Sequence, residues 1–381
     1  MRVYLDNAAT TAISKEVIER MTEVMLSTYG NPSSIHAEGR AARALIEESR
    51  KKVANEINAS VGEIFFTSGG TESNNMILNC AVRDLGVTRI ISSCTEHHCI
   101  LHTLEKLEAE GKVEVILLDV CGKGLVDLEK LQELLKASDK KTLVTLMHSN
   151  NEIGTMIDLT EVGAVCDGNG ALFHSDTVQT MGFYPIDVST TKIQFLIGSA
   201  HKFHGPKGCG FIYIKNDCQI KPFITGGSQE RKMRAGTENL CGIVGLATAL
   251  ELSCKNMEKH RKYVEGLRMY FIKQLQKHFD DIQFNGDYLG RAHFKVISVS
   301  FPPSPKSAML LLNLDILGIS ASGGSACSSG AEVGSHVLQS IAANPERKSI
   351  RFSFSHFNKK EEVDYVIDKL KTIIPVRETV S

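Results

Sequence analysis

Short apolar runs along this chain alternate with stretches whose apolar residues recur at the helical period. Lys15–Tyr29 has the spacing of an amphipathic helix and stops at Gly30, after which Asn31-Pro32-Ser33-Ser34 reads as a loop. Ala37–Ile57 repeats the helical pattern. Glu63–Thr67 is a short buried-strand pattern that breaks at Ser68-Gly69-Gly70 into a helix over Thr71–Val82. Strands are then expected at Arg89–Ser92, Val113–Leu118, Thr142–His148 and Leu172–Ser175. Between them lie helical patterns at Ile100–Glu110, Asp127–Ala137 and Leu159–Asp167, and two further strands follow at Phe195–Ser199 and Gly210–Ile214. Short apolar strands separated by helices predict a mostly parallel sheet covered on both faces.

Beyond this region Gly242–Phe279 reads as one long helix, and the order changes. A strand over Val296–Phe301, a helix over Ser307–Leu317, a Gly/Ser-rich loop, a strand over Ser349–Ser355 and a helix from Lys360 close the chain. The pattern predicts an α/β protein with a large, mostly parallel-sheet domain over 13–250. A smaller α+β domain is expected from 1–12 and 251–381.

Apolar residues at 42% and charged residues at 23% match a soluble globular chain. Lys plus Arg number 43 against 44 Asp plus Glu, so no basic excess draws the chain to nucleic acid or an anionic membrane. The N-terminus reaches Asp6 before any apolar stretch forms, unlike a signal or transit peptide. Apolar runs such as Val115–Leu118 fall far short of the ~18 residues that span a bilayer. A cytoplasmic location is the expectation.

Ten cysteines are present without a Cys-x-x-Cys pair, too dispersed for a disulfide scaffold or a zinc ribbon. Most are expected to be buried thiols. Cys327 differs. Ser322-Gly-Gly-Ser-Ala before it and Ser328-Ser-Gly after it offer no apolar bulk to bury it, which predicts an accessible loop.

Three stretches of the larger region point to chemistry. Thr67-Ser68-Gly69-Gly70-Thr71-Glu72-Ser73 lies between a strand and a helix, where small residues and free N–H groups suit a phosphate. It matches neither the dinucleotide fingerprint nor the Walker A pattern. His174-Ser175-Asp176-Thr177-Val178-Gln179 puts Asp176 at the C-terminal end of a strand, the edge where open parallel sheets bind ligands. Ser199–Gly208 puts Lys202 just past another strand. Singly, Asp176 reads as a helix cap and Lys202 as a surface lysine. Jointly they suit pyridoxal phosphate (PLP), which needs a Schiff-base lysine, a carboxylate on its ring nitrogen and a phosphate cup.

Over nearly its whole length the sequence resembles the cysteine desulfurases, PLP enzymes of aminotransferase class V and fold type I. The motifs that carry the resemblance include Tyr4-Leu-Asp-Asn-Ala-Ala-Thr-Thr11, Gly30-Asn-Pro-Ser-Ser34 with His36, Thr67–Asn74 and Thr95-Glu-His97. They continue with His148-Ser-Asn-Asn-Glu-Ile-Gly154, Asp176–Gln179, His201-Lys202, Arg234-Ala-Gly-Thr-Glu-Asn239 and Gly323-Gly-Ser-Ala-Cys-Ser-Ser-Gly330. The resemblance implies that Lys202 forms the Schiff base, Asp176 pairs with the ring nitrogen and His97 stacks on the ring and assists proton transfer. Gln179 then bonds the phenolic oxygen, and Asn151 lies near the ring and the substrate carboxylate. Gly70, Thr71, Ser199 and His201 hold the phosphate, and Arg351 clamps the carboxylate of L-cysteine. Thr237 reaches the phosphate in the neighbouring subunit, which implies a homodimer.

By the same resemblance, the Cys327 thiolate takes sulfur from the substrate as a persulfide, leaving L-alanine. A sulfur-acceptor or scaffold protein collects it for iron–sulfur cluster assembly or thio-cofactor synthesis. The rather long loop around Cys327 resembles the class whose cysteine segment carries sulfur outward. The alternatives on the same scaffold are a selenocysteine lyase and a class V aminotransferase. A metal protein using Cys94, His97, His98, Cys99 and His102 is a rival of another kind, and no metal is the expectation. A non-catalytic scaffold requires the loss of a reacting residue, and none is lost.

Overall fold

The structure, a computed structural model, describes residues 1–304, 309–323 and 334–377. Cys327 and the first residues of the helix expected over Ser307–Leu317 lie outside the described residues. The chain opens with β1 (Val3–Tyr4), α1 (Lys15–Ser27) and α2 (Ala37–Glu56). Next come β2 (Ile64–Thr67), α3 (Gly70–Leu85), β3 (Arg89–Ser93), α4 (His98–Ala109), β4 (Glu114–Leu118) and α5 (Leu128–Lys136). Then follow β5 (Thr142–Thr145), α6 (Leu159–Asp167), β6 (Leu172–Asp176), β7 (Phe195–Ser199) and β8 (Gly210–Ile214).

Seven of these strands form one sheet in the order β2-β8-β7-β6-β5-β3-β4. β3 to β7 pair in parallel, and only β8 is reversed, running antiparallel to both β2 and β7. The strand centres are mostly apolar because both faces of the sheet are covered. Ile91, Val144 and Leu196 enter one core while their neighbours Ile90, Leu143 and Phe195 enter the other, as the two-residue period of a strand requires.

The expected single helix over Gly242–Phe279 is two helices, α7 (Leu240–Lys255) and α8 (Met257–His278). Asn256 separates them at φ −103 and ψ 9, and its side-chain amide turns back to the Leu252 carbonyl at 2.9 Å. The break has a packing reason. α7 is buried against α1 and α2, whereas α8 packs on the last helix of the chain.

The remaining elements are β9 (Gln283–Asn285), β10 (Val296–Phe301), α9 (Leu310–Ile316), β11 (Ile319–Ser320), α10 (His336–Ser340), β12 (Lys348–Ser353) and α11 (Lys360–Leu370). β12, β10 and β9 make an antiparallel sheet, and β1 pairs in parallel with β11. The N-terminal segment is thereby tied to the end of the chain: Asn7 N–H donates to the Ser353 carbonyl at 3.3 Å. Residues 8–11 then cross to the turn after β7, where Thr11 N–H meets the His201 carbonyl at 2.9 Å. This crossing decides where the site closes.

Candidate active site

The parallel strands all end on one edge of the large sheet, and the expected polar residues stand there. β2 runs through Ser68 and Gly69 into α3. Gly69 has φ 149 and ψ −176, a backbone region open essentially to glycine, and lets the chain turn at once into helix. α3 starts without a side-chain cap, so its first N–H groups, which have no intrahelical acceptor, are not taken by a capping side chain either. Gly70 belongs to the same approach, since a Cβ there would meet Val178 Cγ2 at 3.0 Å.

After β3, His97 caps α4, its Nδ1 accepting from the backbone N–H of Cys99 at 3.1 Å. Asp176 is the last residue of β6, and Lys202 ends the short 3-10 turn directly after β7. Asn151 follows β5. Arg351 comes from the interior of β12 in the other sheet.

Gly70, Thr71, His97, Asn151, Asp176, Gln179, Ser199, His201, Lys202 and Arg351 line a single cavity of about 250 Å³. Gly70, Thr71, Ser199 and His201 also border a second space, of about 450 Å³, beside Ser68, Gly69 and Lys207. Thr237 lines neither. It is exposed and borders a separate depression with Ser68, Gly208 and Arg234.

Lys202 Nζ donates to the carbonyls of Ala8 at 2.7 Å and Ala9 at 2.9 Å. Asp176 accepts from the Val178 N–H at 3.0 Å and from Asn74 Nδ2 at 2.8 Å. Arg351 is buried, donating to Asp6 Oδ1 at 2.7 Å and to the Asn151 carbonyl at 2.8 Å. Its Nε is buried without a hydrogen-bond partner among the described residues. Gln179 spends its amide N–H on the Ala8 carbonyl at 3.0 Å, while its Oε1 is buried and unpartnered among the same residues.

Burial, and after it the Lys202 charge, push His201 down to about 4, so its ring is neutral beside Thr10 Oγ1 at 3.1 Å. Burial also lowers the pKa of His97; Lys202 adds to the effect and Asp176 opposes it.

These features fit PLP. A primary amine and a carboxylate held by two donors share the cavity, and an uncapped helix start faces a space lined by hydroxyl and imidazole groups. The metal alternative finds no support: among the described residues no group of three or more His, Cys, Asp or Glu is placed to hold an ion. His98 and His102 stack on each other at 5.0 Å instead. The cysteines are less buried than expected, with four of the nine described ones buried, four half-buried and Cys121 exposed.

Sequence reasoning passed over several cavity residues. Asn74 and Ala8-Ala9 lie inside motifs that were singled out, but nothing in their types announces a carboxylate holder or a pair of amine-binding carbonyls. Asp6 pairs with Arg351 across almost the whole chain, beyond the reach of any local pattern. Cys99 stands on the cavity wall, whereas the sequence offered it only as a ligand of the rival metal site.

The family model for aminotransferase class-V matches residues 3–366. A protein of Dictyoglomus turgidum named cysteine desulfurase IscS is 42% identical over 383 residues, covering 100% of this chain and 96% of that protein. A Bacillus subtilis protein named putative cysteine desulfurase IscS 1 is 41% identical, covering 95% of this chain and 96% of its own. Among solved structures, a NifS-like protein superposes with a TM-score of 0.90 at 35% identity, covering 98% of this chain and 99% of that one. The chain therefore belongs to the aminotransferase class-V family, within its cysteine desulfurases.

Proposed function

We propose that this protein is a PLP-dependent cysteine desulfurase that converts L-cysteine to L-alanine and passes the sulfur to Cys327. The observation that carries the reading is the convergence of Lys202, Asp176, His97 and Arg351 on one cavity. Bound PLP supplies an electron sink for the negative charge that develops at the substrate Cα. The chain supplies the rest. Gly70, Thr71, Ser199 and His201 bind the phosphate, Asp176 holds the proton of the ring nitrogen, and Gln179 and Asn151 orient the ring and the substrate. Arg351 orients the substrate carboxylate. Lys202 Nζ removes the Cα proton, and His97 moves a proton at Nε2.

The Cys327 thiolate attacks the substrate sulfur. An S–S bond forms as the Cβ–S bond breaks, so that L-cysteine and a thiol become L-alanine and a persulfide. A sulfur-acceptor protein, serving iron–sulfur clusters or thio-cofactors, then takes the outer sulfur. The exposed position of Thr237, away from its own cavity, supports a homodimer in which Thr237 of the partner subunit completes the phosphate site. A cytoplasmic location is part of this proposal; no helix of the described residues is long and apolar enough to cross a membrane.

The test supplies PLP and L-cysteine and measures alanine, sulfide and the mass of Cys327. Equimolar alanine and sulfane sulfur with an added sulfur on Cys327 are expected, and Cys327→Ala should abolish sulfur transfer while retaining the cofactor's visible absorption. Full desulfuration by Cys327→Ala overturns the thiol's role. Keto-acid exchange without sulfur release makes the protein an aminotransferase.

A further inference from the structure

Cys99 is a thiol in the cavity wall that the reaction above does not use. Its Sγ lies 3.0 Å from His97 Nδ1 and 3.2 Å from Asn74 Nδ2. Burial pushes its pKa up to about 12, so the group is a thiol with one proton to give. The directions follow from chemistry. An amide nitrogen only donates, so Asn74 Nδ2 donates to the sulfur. His97 Nδ1 already accepts from the Cys99 backbone N–H, so it carries no proton and is the acceptor open to the S–H. The other hydrogen of Asn74 Nδ2 goes to Asp176 Oδ2 at 2.8 Å. One side-chain amide thus serves both the carboxylate and the thiol, and the thiol serves the imidazole.

We propose that Cys99 is a positioning residue: relaying from Asn74 to His97, its S–H shares the Nδ1 lone pair with the backbone N–H that already sets the Nε2–H tautomer, and ties the orientation of the imidazole to that of Asp176. The inference rests on the reading of the cavity as the cofactor site. Its physical consequence is that His97 meets the substrate as a proton donor at Nε2, with two hydrogen bonds converging on Nδ1. Replacing the thiol by a methyl removes one of these bonds and leaves an Asn74 N–H without its acceptor next to Asp176. Loss of a donor to Nδ1 makes the ring more basic, and water entering the vacated volume acts in the same direction. The other charges acting on His97 are Asp176, Lys202, His336 and His102, and neither substitution below alters them.

The experiment compares Cys99→Ala and Cys99→Ser with the parent. Ring nitrogen resonances of ¹⁵N-histidine are followed against pH in the apoprotein, and kcat and KM are measured in the holoenzyme. His97 should titrate at higher pH in Cys99→Ala and return to the parental value in Cys99→Ser, whose hydroxyl makes both bonds. Over the same pair kcat should fall roughly tenfold in the alanine variant at nearly constant KM, as expected for one lost hydrogen bond in a proton-transfer relay, and recover with serine. An unmoved His97 titration in Cys99→Ala overturns the proposal. Equal shifts in both variants also overturn it, because they assign the effect to packing. The apoprotein titration needs no turnover, so failure of the desulfurase reading shows separately, as a parent protein that releases no sulfur from cysteine.

Discussion

Two walls of the same cavity are built in different ways. One is the edge of the large sheet, where Asp176 ends a strand and His97, Asn151 and Lys202 come from the turns after strands, placed by a parallel ladder. The other joins the two ends of the chain: Ala8 and Ala9 over the lysine, with Asp6 and Arg351 paired at 2.7 Å. The first wall holds the reacting groups on rigid elements. Under the proposed function the second recognises what they react with, and it exists only when distant segments meet. On that proposal, mutations in the two walls should separate chemistry from recognition.

The sharpest break is Lys202→Ala, which removes the base from the sheet wall. Turnover should fall by roughly 10⁴-fold while binding of the substrate carboxylate persists, measured as kcat against the Kd for cysteine. On the opposite wall, Arg351→Ala should raise KM for cysteine by roughly 10–100-fold with the cofactor still bound, since a charged hydrogen-bonding partner is lost. If kcat alone falls, the two walls do not divide the work as described. A smaller effect is expected for Asp6→Asn. The guanidinium keeps its place in β12 but loses its counter-charge, so KM should rise a few-fold and urea unfolding should show a loss of about 2 kcal/mol.

The mildest test uses pH. Burial pushes His174 down to about 3 and His148 to about 4, and both lie on or beside the strands of the sheet wall. Their folded values are depressed, so they stabilise the fold fully above about pH 6.5 and lose that contribution as pH falls toward 4. His174, fully enclosed, contributes ~1.4 kcal/mol per pH unit across that window. Tm should decline from pH 6.5 to 4 in the parent, and less steeply in His174→Asn if that variant folds.

The same division explains what was legible in the sequence. Residues on the sheet wall follow recognisable apolar runs, so Asp176 and Lys202, unremarkable singly, stood out together by position. β8 was legible as a strand, but its reversal was not, because direction leaves no trace in an apolar run buried on both faces. β1, β9 and β11, with two or three residues each, are too short to show a period. The stop at Asn256 was hidden because helical periodicity continues on both sides, and only packing against different partners separates α7 from α8. Arg351 came from the family resemblance; Asp6 lies in a motif of that resemblance, Tyr4–Thr11, but its pairing with Arg351 came from neither pattern nor resemblance. Asn74 looks like an ordinary helix residue and Cys99 like part of a metal candidate until the third dimension places them beside Asp176 and His97.

The pairing of Asp6 with Arg351 also bears on how the protein is made. A ribosome delivers Lys202 and Asp176 well before β12 has been synthesised, so a nascent chain holds its amine and carboxylate while the pocket still gapes on one side. Closure waits for the last strand to leave the exit tunnel and find a segment that emerged first.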